Sequence, residues 1–168
     1  MDVSKINSLV ELYFKKVEQI DKKKPFLQWL NTKNNHQYDW EEVTEKIYKF
    51  SYKIKSLIKE GDRVLLLSEN RPEWLIADLA IMNAGGITVP IFTTYAEREY
   101  EYILNDCSTS LLVVSNDAQF EKINKFIENQ ERISFEKIKT SSITFESIFK
   151  EKYEKTINDK LNRKLPAC

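Results

Sequence analysis

Three short apolar runs, separated by segments of helical length, constrain the fold of this chain most strongly. The runs lie at residues 63–68, 87–91 and 110–115. The first reads Val-Leu-Leu-Leu without polar alternation, which is typical of a strand that is covered on both faces, as in a parallel sheet. Parallel strands need long connections, and each run is followed by a segment long enough to supply a helix. The sequence therefore predicts an α/β fold with a parallel sheet and flanking helices.

The first connecting helix has signals at both ends. Asn70 precedes Glu73 by three residues, with Pro72 between them, and this pattern predicts an N-cap at Asn70. Gly85 is expected to end the helix, because glycine tolerates the left-handed conformation that is common after a helix. The next run contains Pro90, which lacks a backbone N–H and is therefore expected near the end of its strand.

The capping pattern recurs further along the chain. Thr94 and Glu97 predict the start of a second helix, which runs to about residue 105. Asn116 or Asp117 is expected to begin a third helix, which ends near residue 128. A further strand and a short helix are expected at residues 133–135 and 144–150.

The region before the first apolar run is expected to be mainly helical. Asp39 and Glu42 form a capping-box pattern for a helix whose left-handed C-cap is placed at Gly61. One apolar stripe follows the helical period and predicts the buried face of this helix: Val43, Ile47, Phe50, Ile54, Leu57 and Ile58. Further upstream, a helix, a short strand and a polar turn are expected at residues 4–20, 25–30 and 32–37.

The 168 residues are interpreted as three regions. Residues 1–35 are interpreted as an N-terminal helix and short strand, and residues 36–150 as the α/β unit. Residues 151–168 are rich in Lys, Glu and Asn and are expected to form a polar tail.

The charge balance excludes some classes of partner. The formal net charge is zero, and residues 61–117 contain no lysine, three arginines and nine acidic residues. A nucleic-acid ligand is therefore not expected, because that binding depends on clustered basic side chains. No apolar run approaches the length of a transmembrane helix, and two cysteines do not form a disulfide framework. These features predict a cytoplasmic protein.

Few residues are candidates for catalysis. His36 is the only histidine and lies in a polar segment, so it is expected to be exposed. Cys107 falls at a predicted helix end and is interpreted as a half-buried structural cysteine, and Cys168 is terminal. Neither a catalytic residue nor a metal ligand is predicted. The three glycines in the chain match no phosphate-binding pattern.

The stretch from Gly61 to Thr94 carries a more specific signal. It contains Gly-Asp-Arg-Val, then Asn-Arg-Pro-Glu-Trp, then Ala-Gly-Gly-Ile-Thr-Val-Pro followed by a threonine pair. This order resembles the N-terminal part of the AMP-forming acyl-CoA synthetases, most closely the long-chain fatty-acid–CoA ligases, over about residues 36–117. The motif residues, to which the resemblance assigns a structural role, are Gly61, Asp62, Arg63, Asn70, Arg71, Pro72, Glu73, Trp74, Gly85, Pro90, Thr93 and Thr94.

The resemblance implies a partial N-terminal subdomain of an adenylate-forming enzyme. In the full-length family, ATP and a fatty acid give an acyl-adenylate and pyrophosphate, Mg²⁺ screens the phosphates, and the thiol of CoA then displaces AMP. The family motifs for this chemistry are a glycine-rich phosphate loop, a ribose-binding aspartate and a lysine on a mobile C-terminal domain. None of them occurs in this sequence. No cofactor is therefore expected for this chain, which is expected to be inactive alone and to have the rest of the enzyme, encoded separately, as its partner.

Two alternatives remain open at the level of sequence. The chain could be a non-catalytic interaction or regulatory module that kept the scaffold, or a small nucleotide binder, although no glycine follows the strand at residues 63–68 before the next helix. An incomplete sheet also predicts an open edge and uncovered apolar surface near the C-terminal strands. Thr93 and Thr94 follow the carboxyl end of a strand, where α/β folds usually bind ligands.

Overall fold

A five-stranded parallel sheet lies at the centre of the molecule. The computed structural model describes residues 3–30, 35–140 and 142–158. The strands are β1 Pro25–Trp29, β2 His36–Asp39, β3 Arg63–Leu67, β4 Ile87–Ile91, β5 Leu111–Val114, β6 Glu131–Ser134 and β7 Ile143–Thr144. The helices are α1 Leu9–Gln19, α2 Trp40–Lys55, α3 Pro72–Asn83, α4 Glu97–Cys107, α5 Asp117–Ile123 and α6 Phe145–Ile148, with short 3₁₀ turns at Val3–Lys5 and Asn124–Phe126. The predicted α/β class and parallel sheet are confirmed.

The strand order of the sheet is β4-β3-β5-β6-β7, and all neighbours are parallel. Strand β3 is central, with Val64 and Leu66 packed into one core and Leu65 and Leu67 into the other. Helices α1, α2, α3 and α6 contribute to the first core, and α4 and α5 to the second. The sheet is covered on both faces, as the uninterrupted apolar run predicts.

Strands β1 and β2 form a separate antiparallel hairpin. Residues 36 and 37, which were expected in a turn, belong to β2, and residues 31–34 lie outside the described part of the chain. The hairpin packs on the helices through Phe26, whose ring centroid lies 3.8 Å from that of Trp40 on α2 and 5.9 Å from that of Tyr13 on α1. A strand pairing of this kind is not visible in local periodicity.

The capping box of α2 is confirmed, whereas its predicted C-cap is wrong. Asp39 Oδ1 accepts a hydrogen bond from the backbone N–H of Glu42 at 2.7 Å, and Glu42 Oε2 accepts one from the N–H of Asp39 at 3.0 Å. The helix ends at Lys55 with Ser56 as its C-cap, and the Ser56 hydroxyl donates to the carbonyl of Lys53. Gly61 has φ +84° but lies in the later turn that leads into β3.

The N-caps predicted at Asn70 and Thr94 are also wrong. Helix α3 is preceded by Arg71 as N-cap, without a side-chain capping bond, because the guanidinium has no hydrogen-bond acceptor. Its Nε donates instead to Glu73 Oε2. Helix α4 is preceded by Ala96, whose N–H donates to Glu99 Oε2 at 2.7 Å. Acidic residues alternate at the start of α4, so the capping pattern could be aligned in two ways and only the folded chain selects one.

Gly85 ends α3 as predicted. Its φ is +91°, and its N–H donates to the carbonyl of Met82 while the N–H of Gly86 donates to that of Ile81. These are the two hydrogen bonds of a Schellman motif, which needs a left-handed residue at this position.

Later elements agree with the sequence in kind. Asn116 is the N-cap of α5, since its Oδ1 accepts from the N–H of Gln119 at 3.1 Å. The helix is shorter than expected and continues as a 3₁₀ turn. Residues 151–158 have no regular structure but are tied to the body of the protein, because Asn83 accepts from the N–H of Asn158 and donates to the carbonyl of Thr156. The rest of the expected polar tail lies outside the described residues.

Among the described residues, no helix has the length and apolar character needed to cross a bilayer. In the part of the chain that the structure describes, the exposed large apolar side chains do not lie on β6 or β7, so the expected uncovered surface is not seen on those two strands. They are Leu9, Leu30, Tyr52, Phe92, Tyr102 and Ile157.

The buried Tyr13 phenol is expected to make the folded protein less stable at high pH. Thr44 donates to the carbonyl of Trp40, so Tyr13 donates to Thr44 Oγ1 at 2.9 Å. Burial raises the pKa of Tyr13 to about 12, from an ordinary value of 10. Because the folded-state pKa is the higher one, this stabilising contribution is complete below pH 10 and is lost as the pH rises to about 12.

We expect urea unfolding followed by circular dichroism to show stability falling over that pH range, with a shallower fall in Tyr13→Phe. Tyr38, Tyr48 and Tyr100 also have pKa values raised by burial and will retain part of the slope. Identical slopes for the variant and the parent would contradict the role given to Tyr13.

Candidate functional site

A cavity of about 600 Å³ opens at the carboxyl ends of β3 and β4. Helix α3 follows β3 and packs on one face of the sheet, whereas α4 follows β4 and packs on the other. The loops after these neighbouring strands therefore diverge and leave a crevice between them. Crevices of this kind are the usual ligand sites of open α/β sheets.

The cavity wall combines apolar and hydrogen-bonding groups from both loops. The loop after β3 contributes Ser68, Glu69 and Asn70, and the first turn of α3 contributes Trp74. The end of β4 and the loop after it contribute Pro90, Ile91, Phe92, Thr93 and Thr94. Five of the sequence-predicted motif residues thus meet here: Asn70, Trp74, Pro90, Thr93 and Thr94.

Four other motif residues lie at the opposite end of the sheet. The N–H of Gly61 donates to the carbonyl of Gly85 at 2.8 Å, and the N–H of Ile87 donates to the carbonyl of Asp62 at 2.8 Å. The Asp62 carboxylate accepts from the N–H of Lys59, and Arg63 begins β3. These residues join the turns at the amino ends of β3 and β4, so they do not contribute to the cavity.

The remaining motif residues, Arg71, Pro72 and Glu73, lie at the start of α3, between the cavity residues Asn70 and Trp74. The Arg71 side chain is only 9% exposed and donates to Glu73 at 2.8 Å and to Glu136 at 2.7 Å. Its guanidinium also lies over the ring of Trp29 at 4.6 Å and that of Phe135 at 5.5 Å. Arg71 therefore connects the loop after β3 to the hairpin and to the segment after β6.

Glu69 joins the cavity to the neighbouring strand β5. Its Oε1 accepts hydrogen bonds from Gln119 Nε2 at 2.6 Å and from Asn116 Nδ2 at 3.3 Å. Burial alone would raise the pKa of Glu69, but the hydrogen bonds outweigh it and hold the pKa below its usual value. The carboxylate is thus ionised at neutral pH and is occupied by partners within the protein.

Lys122 fixes the other loop of the cavity. Its Nζ donates to the carbonyl of Thr93 at 2.6 Å and to Gln119 Oε1 at 2.8 Å. Glu69, Gln119 and Lys122 therefore form one polar network that ties the loops after β3 and β4 to α5. Sequence reasoning missed all three, because they come together only through the order of the strands.

The described residues that line the cavity include neither His36 nor Cys107. His36 is exposed at the start of β2, as predicted, and Cys107 is half-buried as the last residue of α4. Cys168 lies outside the described residues. Among the described residues, no three His, Cys, Asp or Glu side chains lie close enough to hold a metal ion. Among the described residues that line the cavity, Glu69 is the only carboxylate and is already hydrogen-bonded, so these residues do not fit an Mg²⁺ site.

Comparison with known proteins gives a consistent result. The sequence profile of the family described as AMP-binding enzyme matches residues 14–166. The chain is 38% identical over 96 residues to the long-chain-fatty-acid–CoA ligase ACSBG2 of Gallus gallus. The aligned region covers 54% of this chain and 12% of that ligase. It is 32% identical over 88 residues to ACSBG1 of Rattus norvegicus, covering 52% of this chain and 12% of that ligase.

Solved structures share the fold at lower identity. The luciferase-like enzyme of the Zophobas morio mealworm aligns with a TM-score of 0.77 at 18% identity, over 95% of this chain and 38% of that structure. The anthranilate CoA ligase AuaEII aligns with a TM-score of 0.73 at 19% identity, over 95% of this chain and 32% of that structure. The chain thus spans about an eighth of the curated relatives and about a third of the solved structures.

Proposed function

Since this chain belongs to the AMP-binding enzyme family, we propose that it forms the N-terminal scaffold of a long-chain fatty-acid–CoA ligase. In this proposal the chain positions the rest of the ligase domain and does not supply the reacting groups. The proposal refines the family assignment, which does not by itself fix the substrate.

The identity of the curated relatives carries the choice of ligase. Relatives from bird and rat, 32–38% identical over about half of the chain, are named long-chain-fatty-acid–CoA ligases. The structural neighbours are less than 20% identical, so their likeness supports the fold alone. Because the chain covers only 12% of those relatives, the activity of the whole enzyme is part of the proposal.

The proposed reaction has two steps in the completed enzyme. The carboxylate of a fatty acid attacks the α-phosphate of ATP and releases pyrophosphate, and the thiol of CoA then attacks the acyl carbonyl and releases AMP. ATP, Mg²⁺ and CoA would be held by residues outside this chain. Its own cavity offers threonine and asparagine side chains and an already paired carboxylate, so no reaction step is assigned to it.

Two features of the chain support a scaffold without activity of its own. The sequence contains no glycine after Gly86, and close backbone approach to a triphosphate generally depends on a glycine-rich loop. The polar groups around the cavity, Glu69, Gln119 and Lys122, hydrogen-bond to one another or to a backbone carbonyl and hold the two loops in place. Both features favour a positioning role.

ATP–pyrophosphate exchange tests the proposal directly. We expect the purified 168-residue chain to show no exchange above background with a long-chain fatty acid. We expect a chimera, in which this chain replaces the matching segment of the Gallus gallus ligase, to form acyl-CoA. The same ligase with that segment deleted is the control and is expected to be inactive.

Two results would contradict the proposal. Exchange catalysed by the isolated chain would refute its inactivity. A chimera that folds but forms no acyl-CoA would refute the ligase scaffold and favour the alternative of a non-catalytic interaction module.

A further inference from the structure

An aromatic surface extends from the cavity onto α4. It consists of Trp74, Phe92, Tyr95, Tyr102 and Ile103, and we call it the aromatic surface. Phe92 and Tyr102 are each 69% exposed, although both are large apolar side chains. Phe92 and Tyr95 meet edge to face at 5.3 Å between ring centroids, and Tyr95 also lines a second cavity of about 460 Å³ with Tyr102 and Ile103. The contact between the Phe92 and Tyr95 rings therefore joins the linings of the two cavities.

Hydrogen bonds hold the loop that presents this surface in a fixed conformation. The Tyr100 hydroxyl donates to the carbonyl of Phe92 at 2.9 Å, and Lys122 donates to that of Thr93 at 2.6 Å. Tyr100 is buried, so it anchors the loop to the second core. A surface that is already ordered loses little conformational entropy when it binds, and this preorganisation favours tight binding.

The adjacent sheet edge favours contact through side chains. Strand β4 is an edge strand, and the N–H of Ile87 is directed to the β3 side. Because hydrogen-bonding directions alternate along a strand, residue 90 is directed outward, and Pro90 has no N–H to offer there. A further strand would pair poorly at this position, so a partner would contact the aromatic surface instead.

We propose that the aromatic surface is the docking site for the remainder of the ligase domain. The inference rests on the proposed function. In the solved relatives, about two-thirds of the chain lies outside the part that this chain matches, and the corresponding part of the ligase would be the partner. An exposed apolar patch with a polar rim is the usual anatomy of such an interface. Arg98 and Glu99 flank the aromatic surface where it lines the second cavity, so the expected partner surface is apolar with polar groups at its rim.

Thiol labelling distinguishes the docked from the free surface. In a Cys107→Ser, Cys168→Ser background, Tyr102→Cys reports on the aromatic surface and Leu9→Cys, at a position that is 56% exposed on α1, is the matched control. We expect Tyr102→Cys to react at least about tenfold more slowly in the chimera than in the isolated chain, since tenfold corresponds to about 1.4 kcal/mol of protection. Leu9→Cys is expected to react equally fast in both.

The readouts separate this inference from the proposed function. A chimera that forms acyl-CoA while Tyr102→Cys labels at the same rate as in the isolated chain would overturn the docking site alone. Slower labelling in an inactive chimera would support the docking site and contradict the ligase function. Equal slowing at both cysteines, or concentration-dependent protection in the isolated chain, which indicates a second copy, would overturn the assignment.

Discussion

Replacing Arg71 with methionine is expected to lower the free energy of unfolding by about 3–4 kcal/mol. The substitution keeps much of the volume of the side chain but leaves Glu73, whose side chain is buried, without its cation. It also removes the contacts of the guanidinium with Trp29 and Phe135. Removing one partner of a buried ion pair costs more than the pair itself contributes, because the remaining charge is not solvated.

Urea unfolding followed by tryptophan fluorescence measures this effect. Lys150→Met is the matched control, because Lys150 pairs with Glu146 in full contact with solvent and its loss is expected to have no measurable effect. The double variant Arg71→Met, Glu73→Met is expected to be more stable than Arg71→Met alone, since it leaves no buried charge. If the single variant is as stable as the parent, Arg71 does not support the loop after β3.

Replacing Phe50 with alanine is expected to destabilise the protein by about 4 kcal/mol, or roughly 10 °C in Tm. Phe50 is completely buried and packs perpendicular to the ring of Phe145 at 5.0 Å. Alanine leaves a cavity between α2 and α6, because neighbouring backbone closes only part of the space.

The control for Phe50 lies two residues further along the same helix. Tyr52 is 41% exposed, so Tyr52→Ala is expected to cost less than about 1 kcal/mol. Thermal unfolding followed by circular dichroism compares the two variants directly. Similar losses in both would contradict the role given to core packing, because alanine favours the helix more than either aromatic residue does.

The roles of Phe50 and Arg71 differ in how well they can be predicted from the sequence. Phe50 lies on an apolar stripe of helical period, so its burial is predicted from residues within its own helix. Arg71 is predicted only as a motif residue, and its partners Trp29 and Glu136 are 42 and 65 residues away in the chain. Such a contact depends on which loops meet in the folded chain, and local periodicity does not predict it.

The wrong cap predictions have the same origin. Asn70 and Thr94 both match the local pattern for an N-cap, but Glu73 pairs with Arg71, and Glu99 caps α4 in place of Glu97. Local patterns allow several alignments of similar free energy, and tertiary contacts of a few kcal/mol select among them. The capping box predicted at Asp39 does form, with hydrogen bonds between Asp39 and Glu42 in both directions.

The candidate site was predicted in part. The threonine pair was expected near a ligand-binding end of the sheet, and Thr93 and Thr94 do line the cavity there. Glu69, Gln119 and Lys122 were not predicted, since no sequence pattern relates residues on the loop after β3 to residues on α5.

By itself, the sequence determined that the chain forms a parallel α/β sheet with strands buried on both faces. Uninterrupted apolar runs in the strands and an apolar spacing of 3.6 residues in the helices encode that result within each element. Only the tertiary structure decided which polar groups meet around the cavity and which aromatic side chains stay exposed beside it. The reason is that both depend on the order β4-β3-β5 and on loops that leave neighbouring strands toward opposite faces.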